Sequence, residues 1–134
     1  MTEPIWITER DARALHYALL AAHGGAEGVR DDGLLASALA RPQNVFAYGE
    51  APDLIAMAGA YTFGVVKNHP FADGNKRVGF VIGVLFLELN GYRFAAAEAA
   101  AAEAVEALAA GALDEAGYVA FLRANVVAEP HGRI

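Results

Sequence analysis

Eleven consecutive residues, His69-Pro70-Phe71-Ala72-Asp73-Gly74-Asn75-Lys76-Arg77-Val78-Gly79, gather a titratable base, an acid, a glycine, an amide and two cations. Chemistry on a polyphosphate uses all of them. The imidazole of His69 can take a proton from an attacking nucleophile. The carboxylate of Asp73 offers the hard oxygen that Mg2+ prefers. Gly74 lets backbone approach a phosphate closely, and Lys76 and Arg77 neutralise charge that develops on the transferred group.

The flanking sequence places this segment at the start of a helix. Asn68-His69-Pro70 reads as a stop, because a residue before proline is pushed out of the helical region. Asp73-Gly74-Asn75 is turn chemistry. A proline-free apolar run from Lys76 to Leu89 follows, and Asn90-Gly91 closes it. The loop thus feeds a helix whose first N–H groups point back at it. Those groups and the helix dipole make an anion site.

Helices account for nearly all the rest. Thr8 and Asp11 resemble a capping box for a helix to about His23, with Leu15, Leu19 and Leu20 on one face, preceded by a short extended lead-in at Trp6-Ile7. Asp31-Asp32 caps a helix that Pro42 should stop, and residues 43–52 read as an ordered loop. Asp53 caps a small, apolar and therefore central helix, Leu54 to about Asn68. An alanine-rich helix spans about Ala97 to Ala110 before Gly111, and Asp114 caps a last one carrying Tyr118, Phe121 and Leu122. The tail from Glu129 to Ile134 reads as frayed.

The 134 residues suit one all-α domain with a real core and about six helices. The apolar content is 56% and the mean hydropathy +0.30, both raised by alanine. The run from Val78 to Leu87 is too short to span a bilayer, and the polar, acidic start of the chain does not read as a signal peptide. With no cysteine and a net charge of −6, the expectation is a cytoplasmic protein that binds neither membrane nor nucleic acid non-specifically. His16, His23 and His131 show no ligand spacing and read as surface or helix-end residues. Glu98, Glu103 and Glu106 read as a solvated face.

The segment resembles the Fic/Doc superfamily, and specifically its Doc (death-on-curing) toxins. The Fic pattern is His-x-Phe-x-(Asp/Glu)-Gly-Asn-Gly-Arg-x-x-Arg. His69, Phe71, Asp73, Gly74, Asn75 and Arg77 match it. Lys76 replaces a glycine and Phe80 replaces the second arginine, both as in Doc proteins. Gly33 to Asn44, Tyr48-Gly49-Glu50 and Leu89-Asn90-Gly91-Tyr92 also look like Doc segments, with Arg41 and Asn44 open to a packing role.

The resemblance implies a Fic-type helical bundle and an ATP- and Mg2+-dependent protein kinase that phosphorylates a serine or threonine of elongation factor Tu and arrests translation. It implies His69 as general base, Asp73 as metal ligand, and Gly74, Asn75, Lys76 and Arg77 as phosphate-binding and charge-stabilising groups. Phe71 would point inward and anchor the loop. A Phd-like antitoxin would act in trans, on the first helix or on the helix over residues 95–110, since no self-inhibitory (Ser/Thr)-x-x-x-Glu-(Gly/Asn) pattern occurs. An AMP transferase is disfavoured by Lys76 and Phe80. A silent binding module would have no need of His69 and Asp73.

Overall fold

A computed structural model describes residues 2–50 and 52–129. They form six helices: α1 (Glu9–His23), α2 (Asp32–Tyr48), α3 (Leu54–Asn68), α4 (Asn75–Leu89), α5 (Glu98–Ala110) and α6 (Glu115–Ala124). Two three-residue strands, β1 (Tyr92–Phe94) and β2 (Val126–Ala128), pair antiparallel with Arg93 opposite Val127.

Short polar side chains start four of the helices. Thr8 Oγ1 accepts from Asp11 N at 3.1 Å while Asp11 Oδ2 accepts from Thr8 N at 2.9 Å, a complete capping box with aspartate in the glutamate position. Asp31, Asp53 and Asp114 each accept from the backbone N–H three residues on. The lead-in at Trp6-Ile7 precedes α1 without pairing into the sheet. Side chains hold it: Tyr61 Oη accepts from Ile7 N (2.9 Å) and donates to Ile7 O (3.2 Å), and the Asn90 amide bonds both backbone groups of Ile5. Burial pushes the Tyr61 phenol up to about 12.

α3 and α4 are the central pair, as their nearly all-apolar sequences require. Glycines let them approach. A Cβ added at Gly83 would meet the Thr62 hydroxyl and lie 3.0 Å from the Ala58 carbonyl oxygen. That backbone atom cannot move aside, and Thr62 Oγ1 already donates to Gly79 O at 2.8 Å. Gly83→Ala should therefore cost a net ~1–3 kcal/mol despite better helix propensity, read as a lower urea midpoint at unchanged slope.

Pro42 does not stop α2. It lies buried inside the helix, which continues to Tyr48, so residues 43–48 are helical and not a loop. Proline removes the bond to Ala38 O and costs ~3 kcal/mol in a helix interior. Packing outweighs it here. Gly64 brings α3 within 3.1 Å of the Ala38 carbonyl oxygen (measured to an added Cβ), and Phe46 meets Trp6 edge-on at 5.7 Å. α1 differs from expectation in its buried face, which is Ala12 and His16, with Leu15, Leu19 and Leu20 half-buried. Glu129 is not frayed: its N–H donates to Gly91 O at 2.7 Å and its carboxylate meets Arg93 at 3.1 Å. The rest of the tail, 130–134, lies outside the described residues. Among these residues no helix is long and apolar enough to cross a membrane.

Candidate functional site

The loop between α3 and α4 is held by its own amide and by the segment before α2. Asn75 is buried (3% exposed), and its side chain closes a ring with Phe71, accepting from Phe71 N and donating to Phe71 O, both at 3.0 Å. Val29 bridges Phe71; Arg30 N and Asp31 N donate to Pro70 O (2.6 and 3.1 Å), and Ala72 N donates to Gly28 O (3.0 Å). The Arg30 guanidinium donates to the carbonyls of Asn68 and His69 (3.1 and 2.9 Å), placing a cation at the negative end of α3. Phe71 is fully buried and anchors the loop from within.

His69 caps α3 in the left-handed conformation (φ 53°, ψ 53°) and is the sole non-glycine there among the described residues. Its side chain is exposed. Asp73 turns its carboxylate onto backbone: Oδ1 accepts from Gly74 N (2.8 Å) and Oδ2 from Ala26 N (3.3 Å). Gly25 makes room, because a Cβ there would lie 2.9 Å from Asp73 Oδ2. Each oxygen takes one N–H, which leaves lone pairs for a cation. No cluster of three metal-ligating side chains exists among the described residues. A single exposed carboxylate fits Mg2+, which is commonly held by one or two carboxylates together with substrate phosphates and water.

Gly74 (φ 76°, ψ 20°) starts α4 with no side-chain cap. The N–H groups of Asn75, Lys76 and Arg77 therefore face the loop with no intrahelical acceptor. The Asn75 side chain is committed to Phe71, so what it offers an anion is this N–H. Lys76 Nζ meets both oxygens of Glu106 on α5 (3.0 and 3.1 Å), and Arg77 has no ion pair among the described residues. Two cations at a helix N-terminus oppose the dipole unless an anion joins them.

His69, Asp73, Gly74, Asn75, Lys76 and Arg77 all line one cavity of about 960 Å3. Its lining also holds an apolar patch, Phe80 edge-on to Phe94 (5.6 Å) with Ala101 and Val105 of α5, beside the acidic Glu98 and Glu106 of the same helix. That suits a ligand with a phosphate end and a flat apolar end.

Two assignments from sequence change. His16 is not a surface residue: it is 4% exposed, stacks on Phe71 at 4.1 Å, and its Nε2 lies 2.8 Å from Asp73 O. Glu106, exposed as expected, is also the partner of Lys76, and with Glu98 and His23 it lines the cavity. Arg30 was not singled out at all. Its only sequence signal is a lone cation ahead of an acidic cap, whereas its role depends on a segment nearly forty residues away. Arg41, left open to a packing role, lies over the Phe63 ring at 4.8 Å and pairs with Glu115 of α6.

A family model described as Fic/DOC matches residues 6–87. Over 85 residues the chain is 34% identical to the protein kinase doc of Escherichia phage P1, a stretch covering 63% of this chain and 68% of that one. Over 76 residues it is 42% identical to the toxin Doc of Mycolicibacterium smegmatis, covering 56% and 58%.

Proposed function

Because the chain belongs to the Fic/DOC family, we propose that it is a Doc-type toxin of a toxin–antitoxin pair: a cytoplasmic, ATP- and Mg2+-dependent protein kinase. Its substrate is a serine or threonine hydroxyl of elongation factor Tu, and a Phd-like antitoxin restrains it in trans. One observation carries the chemistry. An exposed imidazole, a carboxylate with open lone pairs, an uncapped helix N-terminus and two cations share one cavity. The kinase and toxin parts of the reading rest on the names of the two relatives.

His69 takes the proton of the target hydroxyl on a ring nitrogen. The hydroxyl oxygen forms a bond to the γ-phosphorus, the bond from that phosphorus to the β-bridging oxygen breaks, and ADP leaves. The N–H groups at the start of α4, with Lys76 and Arg77, hold the phosphate oxygens and stabilise the loose transition state. Asp73 would hold Mg2+, which when bound would supply charge neutralisation to the phosphate oxygens. Lys76 fills space that a glycine would leave open, and Phe80 is spent on Phe94, so neither reproduces an AMP-transferring arrangement.

Glu106 competes with phosphate for Lys76. Glu106→Gln should tighten ATP binding by at most about fivefold, the worth of an exposed ion pair of about 1 kcal/mol. Titration calorimetry with ATP checks this; an unchanged or weaker Kd removes Glu106 from the account.

The biological reading is tested by induced expression in bacteria. Growth should arrest, recover with His69→Ala, and recover when a short reading frame neighbouring the gene is co-expressed. Undiminished growth with abundant folded protein would contradict a toxin role.

A further inference from the structure

We propose that His16 is a positioning residue, which locks the Asp73–Gly74 peptide in the orientation that leaves the phosphate site free of a carbonyl oxygen. In its activity arm the proposal rests on the kinase reading above.

His16 reaches the loop from α1, one helical turn after the buried Ala12. With Nε2 2.8 Å from Asp73 O, that nitrogen carries the proton and donates, because a carbonyl can only accept. The ring lies nearly parallel to Phe71 (17°) at 4.1 Å, which fixes its plane. Neighbouring loop groups have other ties: Phe71 to Asn75, Pro70 to Arg30 and Asp31, Ala72 to Gly28. The Asp73 carbonyl has His16 alone among the described residues.

That peptide is the one most able to turn over. Gly74, at φ 76° and ψ 20°, has the angles of the third residue of a type II turn. Rotating the preceding peptide by half a turn carries this residue to negative φ, which glycine accepts as readily. The rotation would release the Gly74 N–H from Asp73 Oδ1 (2.8 Å) and swing the carbonyl oxygen away from His16. His16 does not line the cavity and Gly74 does, so the partial negative charge would move toward the phosphates. The Asp73 side chain would lose its register with it. His16 opposes this through a part-buried bond, whose loss would leave the ring N–H of a residue only 4% exposed without an acceptor.

The test separates the donor from the packing. His16→Phe keeps the stack on Phe71 and removes the donor; His16→Gln keeps a donor of similar reach and removes the ring. Crystal structures report the peptide's orientation, thermal melts report the fold, and steady-state kinetics with Mg-ATP report function. We expect His16→Phe to fold, to show the Asp73–Gly74 peptide turned over or in two orientations, and to lose about 10–100-fold in kcat/KM with a raised KM for Mg-ATP. His16→Gln should recover most of that loss. Should His16→Phe keep the peptide in place, or turn it with no loss of transfer, the lock is refuted. If wild-type protein transfers no phosphate, the kinase reading fails, and the peptide's orientation in His16→Phe alone decides the lock.

Discussion

Replacing His69 with alanine is expected to lower phosphate transfer by about 10²–10⁴-fold, the usual worth of a positioned general base. The structure makes this variant clean. The His69 side chain is exposed and makes no hydrogen bond to the described residues, while its backbone carries the ties that matter: its N–H donates to Val65 O and its carbonyl accepts from Arg30. Those ties survive any side chain. One local cost remains: the left-handed conformation, which costs a residue with a Cβ about 1–2 kcal/mol, is tolerated somewhat less well by alanine than by histidine. Asparagine tolerates it better, so His69→Asn should lose transfer equally with a smaller drop in melting temperature. Single-turnover rates beside thermal melts distinguish lost chemistry from lost fold. A His69→Asn protein that transfers phosphate at the wild-type rate would remove His69 as the base.

The second large effect falls on Asp73. Asp73→Asn keeps an oxygen for the Gly74 N–H and removes the negative charge, so the turn at the start of α4 survives. What is lost is the acceptor for the Ala26 N–H (3.3 Å) and, on the proposed reading, the ligand for Mg2+, for which Lewis-acid stabilisation of a phosphoryl group is worth several kcal/mol, about 10²-fold in rate or more. Chelating the metal should reduce the wild-type rate by a similar factor. It should add little to the loss in Asp73→Asn, since both remove one interaction. Rates measured across a Mg2+ titration check this. Independent, multiplying losses would mean that Asp73 acts on the loop and not through the metal. Gly25 belongs to the same argument: a side chain there meets Asp73 Oδ2 at 2.9 Å, on a backbone at φ 125°.

Which parts of this were legible in the sequence follows the range of the interactions. Caps at Thr8, Asp31, Asp53 and Asp114 are read within three or four residues, and the structure has all of them. The pair α3 and α4 is legible because small and apolar residues surround both helices. Pro42 misled because a local rule met tertiary packing that outweighs it. The pairing of Tyr92–Phe94 with Val126–Ala128 joins strands too short for alternation to register. At the site, motif spacing places six residues on one loop and helix start. It says nothing of Asn75 spending its side chain on Phe71, of Glu106 reaching Lys76 from 30 residues away, or of His16 reaching Asp73 from 57. The last two are contacts between elements, and a single sequence carries no record of which elements meet; the first is local, but motif spacing does not say whether the amide turns to the backbone or to a ligand. Names for the roles came from the resemblance, and the geometry is what makes them chemically coherent.

The central claim is that this site moves the γ-phosphate. It is tested by incubating the purified protein with Mg2+ and a bacterial lysate, in parallel reactions with ATP labelled at the γ- or the α-phosphate. The account predicts label from γ alone, on a protein the size of an elongation factor, abolished in the His69 variants and by chelation. Label from α would contradict it, and would mean that Lys76 and Phe80 do not set how the triphosphate lies.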